Sequence, residues 1–556
     1  MVNRDRALET LASEQFDIVV IGGGITGAGV ALDASSRGYS VALVEQADFG
    51  SGTSSRSSKL VHGGLRYLQN FDLGLVREAL LERQLMVKLA PHLVRPLQMV
   101  VPAFDGARPD RLTGIGLNMY DVMAAPPLRG RRGRRGPSEH GDADWSPARH
   151  RVISGDEVVE LLPALARRRP TGGYLFYDCQ TDDARLVLTV LSEAERFGAI
   201  CANRLQVTEL TRDDKPAGVT VRDHESKATF AVRADNVINA TGVWADRIRP
   251  EELYSEAEVP KIAPSRGTHI TLSDDDLPLV GGAIVPVGDG RSIFALPWLG
   301  RSLIGTTDKN YDGDIAHVQP SVDDVDYLLD AVNDFFGVEL GHRDVTGAYA
   351  GVRPLISSGD NRKSVDISRK AELYETSSGM ITITGGKLTT WRRMAKLAVD
   401  RLVERDGRQA RCRTQEIPLG APIEPSELHR VEGVADDSYS LLAGRYGYVA
   451  ERVLDIAATR GELAQEIVPG LPDLLAEAPF AARNDQARSV GDVLLRRTRL
   501  GVLAARELCA PDRAVVQRVA RAMAPELGWD ERRVSDEVEM FVAEARAEGL
   551  LVAGED

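Results

Sequence analysis

The chain has 556 residues, of which 43% are hydrophobic and 27% charged, and its formal net charge is −14 at pH 7. This length allows two or more domains with a large buried core, and the composition is typical of a soluble globular protein. The acidic balance gives no general reason to bind nucleic acid.

The cysteines predict neither a metal centre nor a disulfide framework. Cys179, Cys201, Cys412 and Cys509 form no C-x-x-C pair, so neither a redox dithiol nor a zinc site is expected. Their spacing suits a reducing cytoplasm. We see no signal-peptide pattern at the N-terminus and no stretch near the ~20 apolar residues that span a bilayer. We therefore expect a cytoplasmic protein that meets a membrane only at its surface.

The first predicted element is a buried parallel strand, DIVVI at 17–21, followed by the glycine-rich turn GGGITG. Gly22 permits the tight turn, Gly24 lets the backbone approach a pyrophosphate, and Gly27 lets the next helix pack closely on the strand. A second strand, YSVALVE, ends in Glu45, 18 residues after Gly27, where a carboxylate can bind ribose hydroxyls. Because the helix N-terminus also presents free N–H groups to phosphates, the pattern predicts a dinucleotide site.

Later segments favour FAD over NAD. FGSGTSSRSSKLVHGG is dense in glycine and hydroxyl residues, which suits close packing around a phosphate or ring. NVINATGVW at 236–244 predicts a strand with a glycine end, and MITITGGKLTTW at 380–391 predicts a strand, two glycines and a helix. The N-terminus of that helix can face the flavin edge where negative charge develops on reduction. No second G-x-G-x-x-G follows a strand, so we expect no separate NAD-binding domain. A bound organic substrate should therefore supply the reducing equivalents.

The predicted fold class is α/β (α+β overall). A discontinuous, Rossmann-like FAD-binding domain is expected over about 15–110, 180–250 and 345–405, within an oxidoreductase unit that spans 15–405. The alternating patterns THITL, GAIVPV, SIFALPW and SLIGTTD predict an antiparallel-sheet substrate domain between these parts. Amphipathic segments over 421–550 predict an all-α C-terminal domain.

One further helix is predicted from TDDARLVLTVLSEAERFGA, with Asp182 or Asp183 as its N-cap. Asp183 and Arg185 are interpreted as packing residues of this helix rather than as members of a site.

Two basic segments are candidates for contact with an anionic membrane. The first, LRGRRGRRGPSE, contains Arg129, Arg131, Arg132, Arg134 and Arg135. It reads either as a solvated loop or as a membrane contact, in which each basic residue could add ~1 kcal/mol. The second, VLLRRTRLG, reads equally as a core helix with snorkelling arginines.

Seven motifs occur in order along the chain: GGGITGAG, SSKLVHGGLRYL, DDARLVL, NATGVW, IGTTD, GVRPL and GGKLTTWRRMA. Together they resemble the FAD-dependent glycerol-3-phosphate dehydrogenase family of the D-amino-acid-oxidase-like flavoproteins, from about residue 15 into the C-terminal region. The resemblance implies oxidation of sn-glycerol 3-phosphate to dihydroxyacetone phosphate by hydride transfer to FAD. Electrons would then pass to a membrane quinone from an enzyme bound peripherally to the inner face of the cytoplasmic membrane.

The residues expected to contact FAD come from the glycine turns and the hydroxyl-rich segment. They are Gly22, Gly24, Ile25, Thr26, Gly27, Glu45, Thr53, Ser54, Ser58, Lys59, Gly63, Ala240, Thr241, Gly242, Gly385, Gly386, Lys387, Leu388 and Thr389.

A phosphate-bearing substrate requires cations and hydrogen-bond donors in its pocket. The predicted substrate contacts lie in the family-like motifs, with DISRK matching more loosely; they are Arg66, Tyr67, Arg353, Arg369, Lys387 and Thr389. Each cation could instead serve in a surface ion pair. Their position beside the predicted flavin-contacting turns favours the phosphate role.

Oxidation of the C2 alcohol also needs a base for the hydroxyl proton, and histidine is the usual candidate near neutral pH. His62, in HGG, and His269, after SRGT, are the two candidates among nine histidines. Arg353 is a third catalytic candidate, because an arginine near the C2 oxygen would stabilise the alkoxide. The sequence does not choose between the two histidines.

Three alternatives stay open. The same substrate could be oxidised with O2 as electron acceptor, the substrate could be an amine or amino acid, or the protein could bind FAD without catalysis. Oxidases of the resembled family carry an extra insertion in the substrate domain. No obvious insertion is present here beyond the short Arg/Gly loop, which favours a dehydrogenase over an oxidase. Oligomeric state, a homodimer included, and the quinone site are not fixed by the sequence.

Overall fold

The computed structural model describes residues 3–64, 73–104, 111–124, 149–213, 215–251, 253, 255–288, 291–357 and 371–552. Arg66, Tyr67, Arg369 and the basic segment at 129–135 lie outside the described residues. The described chain forms two β-sheets, flanking helices and a helical C-terminal domain, which confirms the predicted fold class.

The strands are numbered along the described chain. They are β1 (Gln15–Ile21), β2 (Val41–Val44), β3 (Leu60–Val61), β4 (Arg95–Ala103), β5 (Arg151–Ser154), β6 (Gly172–Gln180), β7 (Ile200–Ala202), β8 (Leu205–Asp213), β9 (Lys215–Asp223), β10 (Thr229–Asn239), β11 (Ile262–Ser273), β12 (Gly282–Pro286), β13 (Ser292–Trp298), β14 (Arg301–Gly305), β15 (Lys309–Asn310), β16 (Val345–Ile356), β17 (Ala371–Glu375) and β18 (Ile381–Gly385).

The helices are numbered in the same way. They are α1 (Arg4–Ser13), α2 (Ile25–Ser36), α3 (Leu73–Leu89), α4 (Arg111–Ala124), α5 (Gly155–Leu161), α6 (Asp183–Arg196), α7 (Val322–Phe336), α8 (Trp391–Arg405), α9 (Asp436–Tyr446), α10 (Ala450–Ala457), α11 (Glu477–Asn484), α12 (Leu500–Leu503), α13 (Ala505–Leu508), α14 (Ala514–Leu527) and α15 (Glu531–Ala547).

The first sheet has a parallel core in the order β18-β10-β1-β2-β7. The strand β17 and the hairpin β8–β9 extend it with antiparallel pairing. Helix α2 packs between α6 and α8 on this sheet, and its small residues allow the close approach. A Cβ on Gly29, for example, would lie 2.6 Å from the ring of Trp391. This close packing fixes where the N-terminus of α2 lies relative to the strand ends.

The second sheet is mainly antiparallel, in the order β15-β11-β14-β13-β12-β4-β6-β3, with β16 paired along β11 and β5 along β6. The four alternating patterns of the predicted substrate domain fall in β11, β12, β13 and β14. Three strands within the ranges predicted for the FAD-binding domain, β3, β4 and β16, hydrogen-bond in this second sheet instead. Apolar runs show that a segment is a strand, but they do not show which sheet its hydrogen bonds complete.

Helix α6 begins as the sequence predicts. The Asp182 side chain accepts hydrogen bonds from the N–H groups of Ala184 and Arg185, which confirms it as the N-cap. Asp183 and Arg185 are buried and form ion pairs with Lys59 and Asp485. The packing role expected for both residues therefore agrees with their position.

Buried ion pairs join the C-terminal domain to the FAD-binding domain. Arg497 binds both carboxylate oxygens of Asp48 at 2.6 and 2.8 Å, and Arg496 reaches the same carboxylate at 2.5 Å. Asp492 pairs with Arg204 at 2.8 Å. The membrane interpretation of VLLRRTRLG is therefore wrong, because its arginines are buried against acidic partners rather than presented to a surface.

Candidate active site

A cavity of about 1220 Å3 lies between the two sheets and the C-terminal domain. Its lining comes from the segments after β1, β2, β10 and β18, from one face of the second sheet, and from residues of α15. The carboxyl ends of neighbouring parallel strands meet at one edge of a sheet, so these segments converge there.

The turn between β1 and α2 has no room for side chains. Gly22 has φ +109°, and a Cβ there would lie 2.7 Å from the carbonyl oxygen of Ala240. A Cβ on Gly27 would lie 1.9 Å from the carbonyl oxygen of Gly22. The tight turn packed closely against the first helix, which the sequence predicts, is therefore present.

The N-terminus of α2 faces the cavity. Gly24 precedes the helix without a side-chain cap, and the Ile25 N–H donates to Ser54 Oγ at 2.9 Å. Thr53 Oγ1 donates to the Val352 carbonyl at 2.6 Å, which ties this loop to the second sheet. A helix N-terminus beside a hydroxyl-rich loop is a site for a phosphate group.

Glu45 has a partly buried carboxylate at the same end of the cavity. Its Oε2 accepts from the Gly23 N–H at 2.7 Å, and its Oε1 accepts from the Ala47 N–H at 2.8 Å. Burial raises the pKa of Glu45, while the two backbone donors act in the opposite direction. The hydrogen bonds fix the carboxylate in the orientation that ribose hydroxyls require.

The segment after β18 forms another wall of the cavity. Gly385 and Gly386 have φ +78° and +70°, a left-handed conformation that favours glycine. A short helical turn at Leu388–Thr390 then leads into α8. Thr389 Oγ1 lies 3.2 Å from both the N–H and the carbonyl oxygen of His62, so this wall is joined to the HGG segment.

His269 lies on the face of the second sheet that lines the cavity. Its Nε2 lies 2.8 Å from Ser58 Oγ, and its ring stacks on Tyr349 with centroids 4.8 Å apart. Within the described residues, its Nδ1 has no hydrogen-bond partner. Burial lowers the pKa of His269 well below its usual value, and the nearby cations Lys59 and Arg353 lower it further. The imidazole is therefore neutral at physiological pH.

Arg353 lies on the same sheet with a side chain that is 26% exposed. Its Nη2 donates to Thr306 Oγ1 at 3.2 Å and to the Thr307 carbonyl at 3.3 Å, and its Nη1 lies 3.5 Å from Asp308. Gly267 makes room for the guanidinium, since a Cβ there would lie 2.5 Å from Nη2.

The arrangement has the features that FAD requires. One end of the cavity provides a glycine turn, a helix N-terminus and a ribose-binding carboxylate, and the other end provides glycine backbone beside histidine and arginine. The volume exceeds the range of about 300–1,000 Å3 of small-ligand pockets, as an extended dinucleotide with a second small molecule would need.

Comparison with known proteins agrees with this arrangement. The model of the FAD dependent oxidoreductase family matches residues 17–401. The chain belongs to the FAD dependent oxidoreductase family. The model of the C-terminal domain of alpha-glycerophosphate oxidase matches residues 383–534. FAD is therefore the cofactor of this oxidoreductase.

Relatives of this oxidoreductase carry a common name. "Glycerol-3-phosphate dehydrogenase 2" of Mycobacterium tuberculosis is 37% identical over 99% of this chain and 91% of its own length. "Aerobic glycerol-3-phosphate dehydrogenase" of Bacillus subtilis is 34% identical over 89% of each chain. The crystal structure of the glycerol-3-phosphate dehydrogenase from Bacillus halodurans with FAD is 29% identical, with a TM-score of 0.77 and coverage of 100% of this chain and 99% of that one. The resemblance predicted from the motifs is confirmed.

Most of the predicted site residues of this oxidoreductase line the cavity. They are Gly22, Gly24, Ile25, Thr26, Glu45, Thr53, Ser54, Ser58, His62, Ala240, Thr241, Gly242, His269, Arg353, Gly385, Gly386, Lys387, Leu388 and Thr389.

Three predicted cofactor residues lie behind the lining instead. Gly27 lies in the packed turn, and the Gly63 N–H donates to the hydroxyl of Tyr120 at 2.8 Å. The Lys59 side chain is fully buried and binds Asp183, at 2.8 and 3.0 Å from the two carboxylate oxygens. The sequence indicates that Lys59 lies in a cofactor segment, but not that its side chain is directed away from the cavity.

Sequence reasoning also missed a whole wall of this site. Residues of the C-terminal domain line the cavity; among them are Ser489, Gly491, Arg496, Glu537, Glu544 and Glu548. Arg204, Arg291 and His317 add charged or titratable groups from other segments. The arginine-rich stretch VLLRRTRLG was the available signal, because charged residues inside an apolar run indicate buried partners.

We expect the Glu45→Gln variant to bind FAD about tenfold to hundredfold more weakly, because it loses a charged acceptor held by two backbone N–H groups. The measurement is the FAD content and dissociation constant of the purified protein. Glu209→Gln, at an exposed position on β8 of the same sheet, is the matched control and should bind FAD like the wild type. Equal FAD affinity of the two variants would contradict the role of Glu45.

Proposed function

We propose that the protein oxidises sn-glycerol 3-phosphate to dihydroxyacetone phosphate and passes the electrons to a membrane quinone. The observation that supports this most directly is a neutral histidine, His269, and a cation, Arg353, on one wall of the FAD cavity. The names of relatives up to 37% identical along nearly the whole chain support the substrate.

The glycine turns and Glu45 would hold FAD, which would supply the acceptor for the hydride that leaves the C2 carbon of the substrate. His269 is proposed as the base that takes the hydroxyl proton. Because Nδ1 is buried and Nε2 lies 2.8 Å from the hydroxyl of Ser58, which lines the cavity, Nε2 is the ring nitrogen proposed to accept this proton. Burial and nearby cations keep the imidazole neutral, so His269 has no proton to lose first, and the same effects make it a weaker base. His62 is the second candidate and lies beside Phe294 with ring centroids 6.2 Å apart.

Arg353 and Lys387 are proposed to hold the anionic groups of the substrate. Both line the cavity, and Arg353 presents a guanidinium fork suited to phosphate or to a developing alkoxide. Arg353 retains weak contacts within the protein, since its Nη1 lies 3.5 Å from Asp308. A bound dianion can therefore compete for its donors. Two cations suit a phosphate better than the single carboxylate of an amino acid.

A second candidate function is oxidation of the same substrate by O2. It is favoured by the match of residues 383–534 to the C-terminal domain of alpha-glycerophosphate oxidase. The quinone proposal is preferred because relatives along nearly the whole chain are named dehydrogenases and because one helix presents a surface suited to a membrane.

That surface lies on α4. Ile115, Met119 and Val122 are 57%, 37% and 73% exposed, and their spacing of four and three residues places them on one side of the helix. An apolar helix face of this kind can enter the boundary between lipid headgroups and acyl chains. The basic segment at 129–135 follows this helix in sequence and would add attraction to anionic lipids. Within the described residues, no helix is long and apolar enough to span a bilayer.

The proposed function is tested with the purified protein under anaerobic conditions. We expect sn-glycerol 3-phosphate to bleach the flavin absorption, and a quinone analogue to restore it rapidly while air restores it slowly. Rapid recovery in air with peroxide formation would establish the oxidase instead. A flavin that stays oxidised with sn-glycerol 3-phosphate would contradict the substrate.

We expect Arg353→Ala and Lys387→Ala each to raise KM for sn-glycerol 3-phosphate about tenfold to hundredfold, because each removes a charged hydrogen bond to the substrate. FAD content should change little. Arg343→Ala, which removes an 89% exposed arginine just before β16, is the control and should keep the wild-type KM. Loss of FAD in proportion to activity would contradict the substrate role.

Replacing Ile115, Met119 and Val122 together with serine should lower recovery of the protein with sedimented anionic vesicles, because the apolar contact is lost. Activity with a soluble dye as electron acceptor should persist. A control variant carries serine at Val280, Leu397 and Val449, which are also exposed, at 63%, 50% and 41%. If both triple variants sediment like the wild type, the proposed membrane face on α4 is wrong.

A further inference from the structure

A buried cluster of charged residues lies behind the wall that carries His269. Lys59 Nζ donates to the Ser55 carbonyl at 2.7 Å and binds both carboxylate oxygens of Asp183. It also lies 4.8 Å from the ring centre of Tyr349, the residue on which His269 stacks. Burial and the charge of Arg499 lower the pKa of Lys59 to about 7. In the reaction derived above, Lys59 acts only through its charge, which lowers the pKa of His269, and Asp183 has no part.

Arg499 brings the C-terminal domain into this cluster. Its side chain is 2% exposed; its Nη1 donates to the Leu495 carbonyl at 3.0 Å, and its Nη2 to the Ser55 carbonyl at 2.6 Å. Its Nη2 also lies 3.4 Å from Asp183. The Ser55 carbonyl thus accepts a charged hydrogen bond from each of two domains.

The segment 55–59 connects this cluster to the cavity. Ser57 binds Asp183 through both its N–H and its hydroxyl, at 3.1 and 2.7 Å, and its carbonyl accepts from the Tyr349 hydroxyl at 2.8 Å. The next residue, Ser58, directs its hydroxyl to His269 Nε2. The position of the Ser58 hydroxyl therefore depends on a backbone that is held at Ser55 by Arg499.

Arg56, within this segment, reaches Glu548 of the C-terminal region only through its side chain, and two further boundary arginines form no hydrogen bond to the backbone of 55–59 among the described residues. Arg497 binds Asp48, and Arg185 binds Asp485, without contacting the segment 55–59. They join the two domains, whereas Arg499 also contacts the backbone that carries the partner of His269. Arg499 can therefore affect the reaction, whereas Arg497 and Arg185 serve only to attach the C-terminal domain.

We propose that Arg499 is a positioning residue for the reaction, which holds the segment 55–59 so that Ser58 keeps His269 oriented towards the bound alcohol. The helical C-terminal domain then contributes a residue that the active site needs for the reaction. This inference rests on the proposed function, in which His269 receives the proton. Misplacement of a catalytic group by about 1 Å can lower a rate by up to about a hundredfold.

The test compares Arg499→Met with the control Arg185→Met, which removes an equally buried arginine from the same boundary. The rate of flavin reduction is measured by anaerobic stopped flow of the FAD-loaded proteins over a range of sn-glycerol 3-phosphate concentrations. We expect Arg499→Met to lower the limiting rate at least about tenfold with little change in the half-saturating concentration. Arg185→Met should lower the melting temperature but keep the wild-type limiting rate.

Arg499→Lys retains the charge and one donor for the Ser55 carbonyl, so its rate should lie between those of Arg499→Met and the wild type. If Arg499→Met does not fold, Arg499→Lys decides the question, and a wild-type rate overturns the proposal. Equal slowing in Arg499→Met and Arg185→Met also overturns it, because that result indicates general loosening. Failure of the wild type to be reduced by sn-glycerol 3-phosphate would refute the proposed function itself, independently of the variants.

Discussion

The architecture depends on compensation of buried charge between the FAD-binding domain and the helical C-terminal domain. Asp48, which lines the cavity, and Asp183, which lies behind it, are buried carboxylates, and arginines from residues 496–499 approach both of them. Removing one partner of a buried pair leaves an uncompensated charge and typically costs about 3–5 kcal/mol. The two domains are therefore held in one arrangement, and the segment from Asp48 to Lys59 is held in place as part of the cavity wall.

Within that arrangement, close backbone approach provides the room for a cofactor. Gly22 and Gly27 allow β1, α2 and β10 to meet without intervening side chains, and Gly386 does the same beside Met394, whose Sδ lies 2.3 Å from the position of a Cβ. The second sheet supplies the reactive wall, where Gly267 leaves space for Arg353. The site therefore combines glycines, whose lack of a side chain leaves room for the cofactor, with a few polar groups held by the surrounding strands.

Much of this was predictable because the signals are local. Three predicted features each depend on residues close together in sequence, and all three are present. They are the glycine turn with the strand that leads to Glu45, the strand before Gly385, and the helix cap at Asp182. The direction of the Lys59 side chain was not predictable, because it depends on Asp183, 124 residues away. The cavity lining from α15 and the sheet to which β16 belongs were missed for the same reason. Long-range partners leave no periodic pattern in the chain.

The spread of the cavity lining along the chain has a consequence for biosynthesis. Its wall residues extend from Ile21 to Glu548, which forms an ion pair with Arg56 and lies 3.0 Å from His317 Nδ1. The glycine turn leaves the ribosome early, but the complete set of walls exists only after Glu548 has been synthesised. A nucleotide that meets the nascent chain before then finds only part of its site, so the walls can enclose FAD fully only late in synthesis.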